Sequence, residues 1–501
     1  MRPATRCLLL LAAVTLLGGG VPASVGAQEL PASLKLQVER WYSSARRAAP
    51  GSWGIAIADQ SGQILWSANP DIALIPASTV KLLTTGYARG VLGGEARLAT
   101  RVVGAGAIDS AGEWVGRWAL EVNGDPTLES PDGHGPRLQD LADQLANSGI
   151  HRLRGPFTVV TADGSAPEAV YPSSWRPANW GTLYAPLVGA LTIHENIVRI
   201  SVKAGSKAGR QAVLAGTSPA GIGALINIHA TTSSGQRSRL YVRRMADGGY
   251  LVTGTVGLQA GIRTLTAVTG DTRAVFAAAW ARALEQAGIE WDRSPATVAE
   301  SADTSQVLAQ VESAPFDSLA LEINRRSLNL GAELLLRWAG GTEQGAALLT
   351  EHVQQVAGVA GGVRLVDGSG MSHEDRVTPA TFVYYMANVQ YTPGGRNFPY
   401  LLPANGQGTL ARLASGLPDQ GVVRAKTGTL AGVSTLVGYL GRRDGVFLVS
   451  LMYNGPRSRT AKRHQWSAFR LLGAGGASIP ADEDVEMVEP VTELGGEAAA
   501  P

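Results

Sequence analysis

Pro76-Ala-Ser78-Thr-Val-Lys81-Leu-Leu-Thr-Thr-Gly-Tyr87 reads as the opening of a helix with chemistry built into it. The proline suits a first helical turn, and Ser78 falls where unpaired backbone N–H groups gather. Three residues on, Lys81 shares a helix face with Ser78, so its amine can reach the hydroxyl. Basic residues in this 501-residue chain are overwhelmingly arginine, 37 of 43. Arginine cannot lose its proton in a protein, whereas a desolvated lysine can become a neutral general base beside a serine. A lysine kept in a chain that accepts arginine almost everywhere else invites a chemical explanation.

Two further short motifs extend that reading. Ser327-Leu-Asn329 falls between helical stretches, and its two polar side chains, alternating along an extended loop segment, are expected to face one cleft and hold or relay a proton. Lys426-Thr427-Gly428 lies on a predicted strand followed by a hairpin. Lys426 would lower the proton affinity of Lys81 as a second ammonium. Lys426 and Thr427 would grip a substrate carboxylate, and Gly428, lacking a side chain, would let a substrate strand lie close against the sheet edge. Each motif alone is weak; the order S-x-x-K, S-x-N, K-T-G, each in the setting its chemistry requires, is specific.

Outward from the motifs, residues 34 to 48 pattern as a helix, followed by strand-like runs Trp53–Asp59 and Gln63–Ser67. Short strand-like runs punctuated by Gly, Ser and Asp fill residues 100 to 300, with helices at Leu138–Asn147 and near Arg273–Gln286. Helical patterning then dominates Phe316–Ala339, Gln344–Ala357 and Pro379–Val389. Strand-like Val422–Leu430, Ser434–Leu440 and Val446–Tyr453 precede a last helix near Ala461–Leu472. The expectation is an α+β fold: one antiparallel sheet flanked by helices, built from residues 28–100 and 301–479, with a β-rich region of two nested parts inserted over 101–300.

Arg2 and Arg6 ahead of an apolar run from Cys7 to Leu17, then small residues to Ala27, read as an export signal over residues 1–27. That run has 11 residues, against the ~20 needed to span a bilayer, so no stable membrane anchor is expected. Location in the periplasm or another extracytoplasmic envelope space follows. Without Arg2 and Arg6 the chain has 41 basic and 41 acidic residues, lacking the bias of a nucleic-acid binder. Residues 480–501 are acidic with Pro and Gly, and are expected to be a solvated, disordered tail. The only cysteine lies in the signal, and the seven histidines lack metal-ligand spacing, so no metal and no cofactor are expected. Oligomeric state is left open, a homodimer included.

The trio resembles that of penicillin-binding proteins and β-lactamases, with Ser327-Leu-Asn329 where S-D-N is usual. Leu74-Ile-Pro76, Asn123-Gly-Asp125-Pro126, Tyr184-Ala-Pro186, Ala332-Glu333, Asp367-Gly-Ser-Gly370-Met-Ser372 and Gly408-Thr-Leu410 narrow the resemblance. They make nearly all the ordered chain similar to the class C low-molecular-mass penicillin-binding proteins, the D-alanyl-D-alanine carboxypeptidase and endopeptidase family. The 245 residues between Lys81 and Ser327 suit that family's inserted domains. The resemblance implies a β-lactamase/transpeptidase-like fold with a catalytic set of Ser78, Lys81, Ser327 and Asn329. It also implies an oxyanion hole of the Ser78 and Thr429 backbone N–H groups, and substrate contacts from Lys426, Thr427, Gly428, Thr429 and Tyr184. Its substrates would be peptidoglycan stem peptides, and β-lactams would be its inhibitors. The Asp367 to Ser372 loop is assigned to shaping the cleft. Relatives carry an acid about five positions before this tyrosine, where Asn179 stands here, which puts the preferred stem residue in doubt. A serine β-lactamase is the nearest rival, and a penicillin sensor or wall-binding protein that is acylated once is a third reading.

Overall fold

Alternation decides the central layer. In strand Ser52–Ala58 the buried Trp53, Ile55 and Ile57 join one apolar cluster, while Ala56 and Ala58 join another. Strands Val433–Arg442 and Gly445–Asn454 divide the same way: Leu436, Leu440, Val449 and Leu451 go to the first cluster, Val437, Tyr439, Leu448 and Met452 to the second. A sheet buried on both faces requires a helical layer on each. The computed structural model, which describes residues 29–294 and 306–481, has both.

Its five strands run Val423–Leu430, Val433–Arg442, Gly445–Asn454, Ser52–Ala58, Ile64–Ala68, each antiparallel to its neighbour. The two chain ends meet in the middle, where Ile55 pairs with Leu451. The helices are α1 (Ala32–Ala48), α2 (Val80–Leu92), α3 (Leu138–Asn147), α4 (Thr272–Gln286), α5 (Phe316–Arg326), α6 (Asn329–Gly340), α7 (Gly345–Ala357), α8 (Pro379–Asn388) and α9 (Ser458–Gly473). α1 and α9 cover the first sheet face, and α2 with α5 to α8 covers the second. Among the described residues no helix is long and apolar enough to cross a membrane. The export signal read over residues 1–27 lies outside the described residues, as does the acidic tail from residue 482 onward.

Two expectations change. The second motif does fall between two helices, α5 and α6, but Ser327 is not extended: it takes a left-handed conformation (φ 58°) that ends α5. Asn329 is then the first residue of α6, so Ser327 and Asn329 do not alternate along an extended segment. Gly331 lets the second helix close on the first, since a Cβ there would come within 2.6 Å of the Ile323 side chain.

The second change concerns where the insertion ends. Strand Gln306–Glu312 pairs antiparallel with Ala99–Ile108, which also pairs with Glu113–Glu121. Entry and exit strands of the inserted segment thus lie side by side, and its sheet runs past residue 300. Within this outer sheet is nested a part of residues 197–268, with one sheet of Arg263–Val268, Ile197–Lys203 and Val213–Ser218 and another containing Thr231–Ser233, Tyr250–Gly257 and Arg239–Arg244. α3, α4 and both parts share one apolar core, running from Val102 to Ala309.

Candidate active site

Ser78 sits in the single 3-10 turn Ala77–Thr79 that leads into α2. The turn is strained: Ala77 has a φ of 50°, a conformation that costs an L-residue on the order of 1–3 kcal/mol. Its neighbours hold it there. The Pro76 carbonyl accepts hydrogen bonds from Thr79 Oγ1 and Thr435 Oγ1, both at 2.7 Å. Gly370, itself at φ 76°, lies where any Cβ would overlap the Ala77 carbonyl. Gly428 is required for a similar reason, since a Cβ there would come within 2.6 Å of the Pro76 oxygen and overlap Thr435 Oγ1. The space at Gly428 is thus taken by the turn that carries Ser78.

Lys81 is fully buried, and its Nζ lies 3.1 Å from Ser78 Oγ, 2.6 Å from Asn329 Oδ1 and 2.7 Å from the Ser369 carbonyl. Three oxygens fix the amine where it can take the serine proton. Burial lowers its pKa to about 7, against the opposing pull of Asp367, Glu333 and Asp375. Those acids line the buried side of the lysine. Glu333 accepts from the Gly368 and Ser369 backbone N–H groups, and Asp367 from those of Gly370 and Ser372. Burial pushes Glu333 and Asp375 above the usual carboxylate range, and the Asp367 charge pushes them further. The loop read as cleft-shaping therefore also holds the electrostatic floor beneath Lys81.

Lys426 is buried too, with Nζ donating to Ser327 Oγ at 2.9 Å and to the Thr427 carbonyl at 3.0 Å. Burial and then the Lys81 charge hold its pKa well below the usual lysine range. Its amine is engaged with Ser327, and Thr429, two residues after Thr427, is exposed beside it. Asn329 donates Nδ2 to the Tyr184 carbonyl at 2.7 Å, which brings the inserted segment to the site. The Tyr184 ring is 53 % exposed, with its hydroxyl 3.2 Å from Asn179 Oδ1. Trp175, by contrast, is a buried packing residue against Ala185 and Met371.

Ser78, Lys81 and Asn329 thus form one hydrogen-bonded group and Ser327 with Lys426 a second, brought side by side by the Ser327-Leu-Asn329 segment, and among the described residues no histidine hydrogen-bonds to any of them. The sequence reading missed the convergence of Glu333, Asp367 and Asp375 on Lys81 and the role of the Ser369 carbonyl. Ala332-Glu333 and the Asp367 to Ser372 run were visible, but nothing in their spacing places them under α2.

The D-Ala-D-Ala carboxypeptidase 3 (S13) family profile matches residues 45–473. A D-alanyl-D-alanine carboxypeptidase of Actinomadura sp. (strain R39) is 28% identical over 425 residues, covering 80% of this chain and 77% of that protein. A carboxypeptidase of Mycobacterium tuberculosis is 31% identical over 422 residues, covering 80% and 76%. Among solved structures, penicillin binding protein 4 from Haemophilus influenzae superposes with a TM-score of 0.67 at 22% identity, over 86% of this chain and 98% of that one. That likeness shows a shared fold.

Proposed function

The chain belongs to the D-Ala-D-Ala carboxypeptidase 3 (S13) family, and from that membership we propose that Ser78 is the residue on which its serine-type D-alanyl-D-alanine carboxypeptidase chemistry runs. The observation that carries this is the Lys81 amine, desolvated, fixed by three oxygens and 3.1 Å from Ser78 Oγ.

Neutral Lys81 takes the Ser78 proton as Oγ attacks the carbonyl between the two D-alanines of a peptidoglycan stem. Backbone N–H groups of Ser78 and Thr429 meet the developing oxyanion. When the C–N bond breaks, the departing D-alanine amine receives the proton held by Lys81, with Ser327, anchored by Lys426, positioned as the relay. Asn329 holds Lys81 on one side and Tyr184 on the other. Water then attacks the acyl-Ser78 ester, giving a proton to Lys81, which passes it to Ser78 Oγ as the Oγ–C bond breaks, and the shortened stem leaves as a carboxylic acid that ionises in solvent. Thr427 and Thr429 receive the terminal carboxylate of the substrate, and Tyr184 lines its stem.

When a cross-linked peptide is the leaving amine, the same steps give endopeptidase activity. β-Lactams acylate Ser78 in place of the dipeptide, and the ring-opened product blocks the approach of water. The enzyme acts outside the cytoplasm, in the cell envelope, and residues 1–27 direct its export.

The test compares the parent with Ser78→Ala for D-alanine release from a stem pentapeptide and for covalent labelling by fluorescent penicillin. Release and stable label in the parent, both lost in the variant, are expected. Rapid loss of label with β-lactam consumed and no D-alanine released would instead make it a β-lactamase, and stable label without D-alanine would make it a sensor.

A further inference from the structure

The nested part of the insertion, residues 197–268, carries nine basic side chains and one acid, Asp247, in a chain whose totals nearly balance at 43 and 41. Of the nine, Arg199 alone meets a carboxylate among the described residues, Asp132 at 3.6 Å. Such an excess is not needed for folding, since like charges on a small body repel.

Its placement is specific. Along strand Arg239–Arg244, Arg239, Tyr241 and Arg243 alternate outward with Leu240 and Val242, which pack on the core. Tyr241 is 59 % exposed, and the two arginines that flank it are exposed and without ion pairs. Side chains two apart on a strand share a face, so the stripe spans roughly 13 Å from Arg239 to Arg243. The cross-strand neighbours on that face, Thr255, Thr253 and Leu251, carry no negative charge. Charges alone on a strand at the side of a sheet guard against unwanted pairing, but an exposed aromatic between them works against that purpose.

The strand that carries the stripe also ends near the site, although Arg244 lies on its other face. The next residue, Arg244, stacks its guanidinium over Trp180 at 4.1 Å, in the loop whose Tyr184 carbonyl is bonded to Asn329. The strand thus leads from the cleft wall outward across the nested part.

We propose that the Arg239–Tyr241–Arg243 face is a docking surface for polymeric peptidoglycan, binding the glycan strand and the free stem carboxylates next to the stem held at Ser78. This deepens the active-site reading and rests on it. Guanidinium groups pair with carboxylates bidentately, and an exposed tyrosine offers a flat apolar ring for a sugar face. The surface raises the local concentration of stems at the cleft without touching the reacting bond.

The experiment uses full-length mature protein in a Ser78→Ala background, which leaves the polymer uncut, and measures co-sedimentation with insoluble peptidoglycan at low and high salt. The triple variant Arg239→Glu/Tyr241→Ala/Arg243→Glu is compared in the same background. Its apparent Kd should rise about tenfold or more, and the salt sensitivity seen in the parent should flatten. With Ser78 restored, the triple variant should release D-alanine from a soluble stem pentapeptide with kcat/KM within about twofold of the parent. That result certifies its fold and separates this proposal from a failure of the active-site reading. If the triple variant does not fold, Arg239→Gln/Arg243→Gln is the replacement, with the same expectations at a smaller shift. Sedimentation unchanged by the substitutions would overturn the proposal. So would parent binding to phosphatidylglycerol vesicles as tight as to peptidoglycan, or an equal loss of activity on the soluble peptide.

Discussion

The platform built from the two chain ends and the inserted segment both reach the Ser327–Asn329 loop, and they are made to different rules. The platform encloses its titratable groups: Lys81 and Lys426 are fully buried, and burial shifts both of them, and the partly exposed Glu333 near them, toward their neutral forms. The insertion instead reaches across with polar, hydrogen-bonded groups. Its Glu195 makes a two-pronged bond to Arg326 at 2.6 and 2.9 Å, its Tyr184 carbonyl holds Asn329, and its Ser165 accepts from Arg337. Glu195 lies in a run, His194 to Asn196, in which all three residues have positive φ. Strained backbone persists where the surroundings over-determine it, and here it aims a carboxylate at the residue preceding Ser327. The difference teaches that the platform encloses the groups to which the proton chemistry is assigned in the proposal, while the insertion holds Arg326 and Asn329, on either side of Ser327, by hydrogen bonds.

Breaking the platform should have the largest effect. Lys81→Ala should lower the penicillin acylation rate by about 10²–10⁴-fold, the usual contribution of a general base, with folding retained in thermal melts. A loss below tenfold would remove Lys81 from that role.

Breaking the contact between the regions comes next. Arg326→Ala leaves the largely buried Glu195 without its guanidinium, and should cost about 2 kcal/mol in denaturant unfolding. It should also lower kcat on the stem pentapeptide several-fold while KM moves little, because Ser327 loses its register. An unchanged kcat would mean that the insertion does not position the second motif.

A finer probe of the platform is Asp367→Asn. Lys81 must be neutral to act, so acylation should rise with pH through about 7 and then level off. Asp367 favours the charged lysine, so removing its charge should move that limb to lower pH. The sign for stability follows from the same group. Between pH 7 and the ordinary lysine value of 10.5 the unfolded chain holds a proton that the folded site does not, so this lysine's contribution makes unfolding harder as pH rises across that window. A pH limb unmoved in the variant would show that the acids do not tune Lys81.

The smallest effect is expected at the insertion's exposed face. Tyr184→Phe loses one hydrogen bond to Asn179 and should change stability by less than about 0.5 kcal/mol, with a two- to threefold rise in KM as the most to expect. A tenfold change would make its hydroxyl a direct substrate contact.

Much of the platform was legible because apolar alternation is a local signal, and five strands from opposite chain ends needed only to find each other. The trio was legible because its chemistry demands particular residue types at short spacing. The place of the break at Ser327 was legible but not its form, since an extended segment was expected and the left-handed residue goes with the close packing of α6 on α5. Strand Gln306–Glu312 was assigned to the platform side because its pairing with Ala99–Ile108 is a contact across some two hundred residues. The acids beneath Lys81 were hidden for the same reason: Glu333, Asp367 and Asp375 become one cluster only when α6 and the following loop close on α2.

The most direct measurement is peptide mapping by mass spectrometry of the protein incubated with benzylpenicillin across pH 5 to 9. The account predicts one adduct, on Ser78, forming at a rate that rises through about pH 7, where Lys81 loses its proton. An adduct on any other serine, or a rate on Ser78 indifferent to pH, would contradict it.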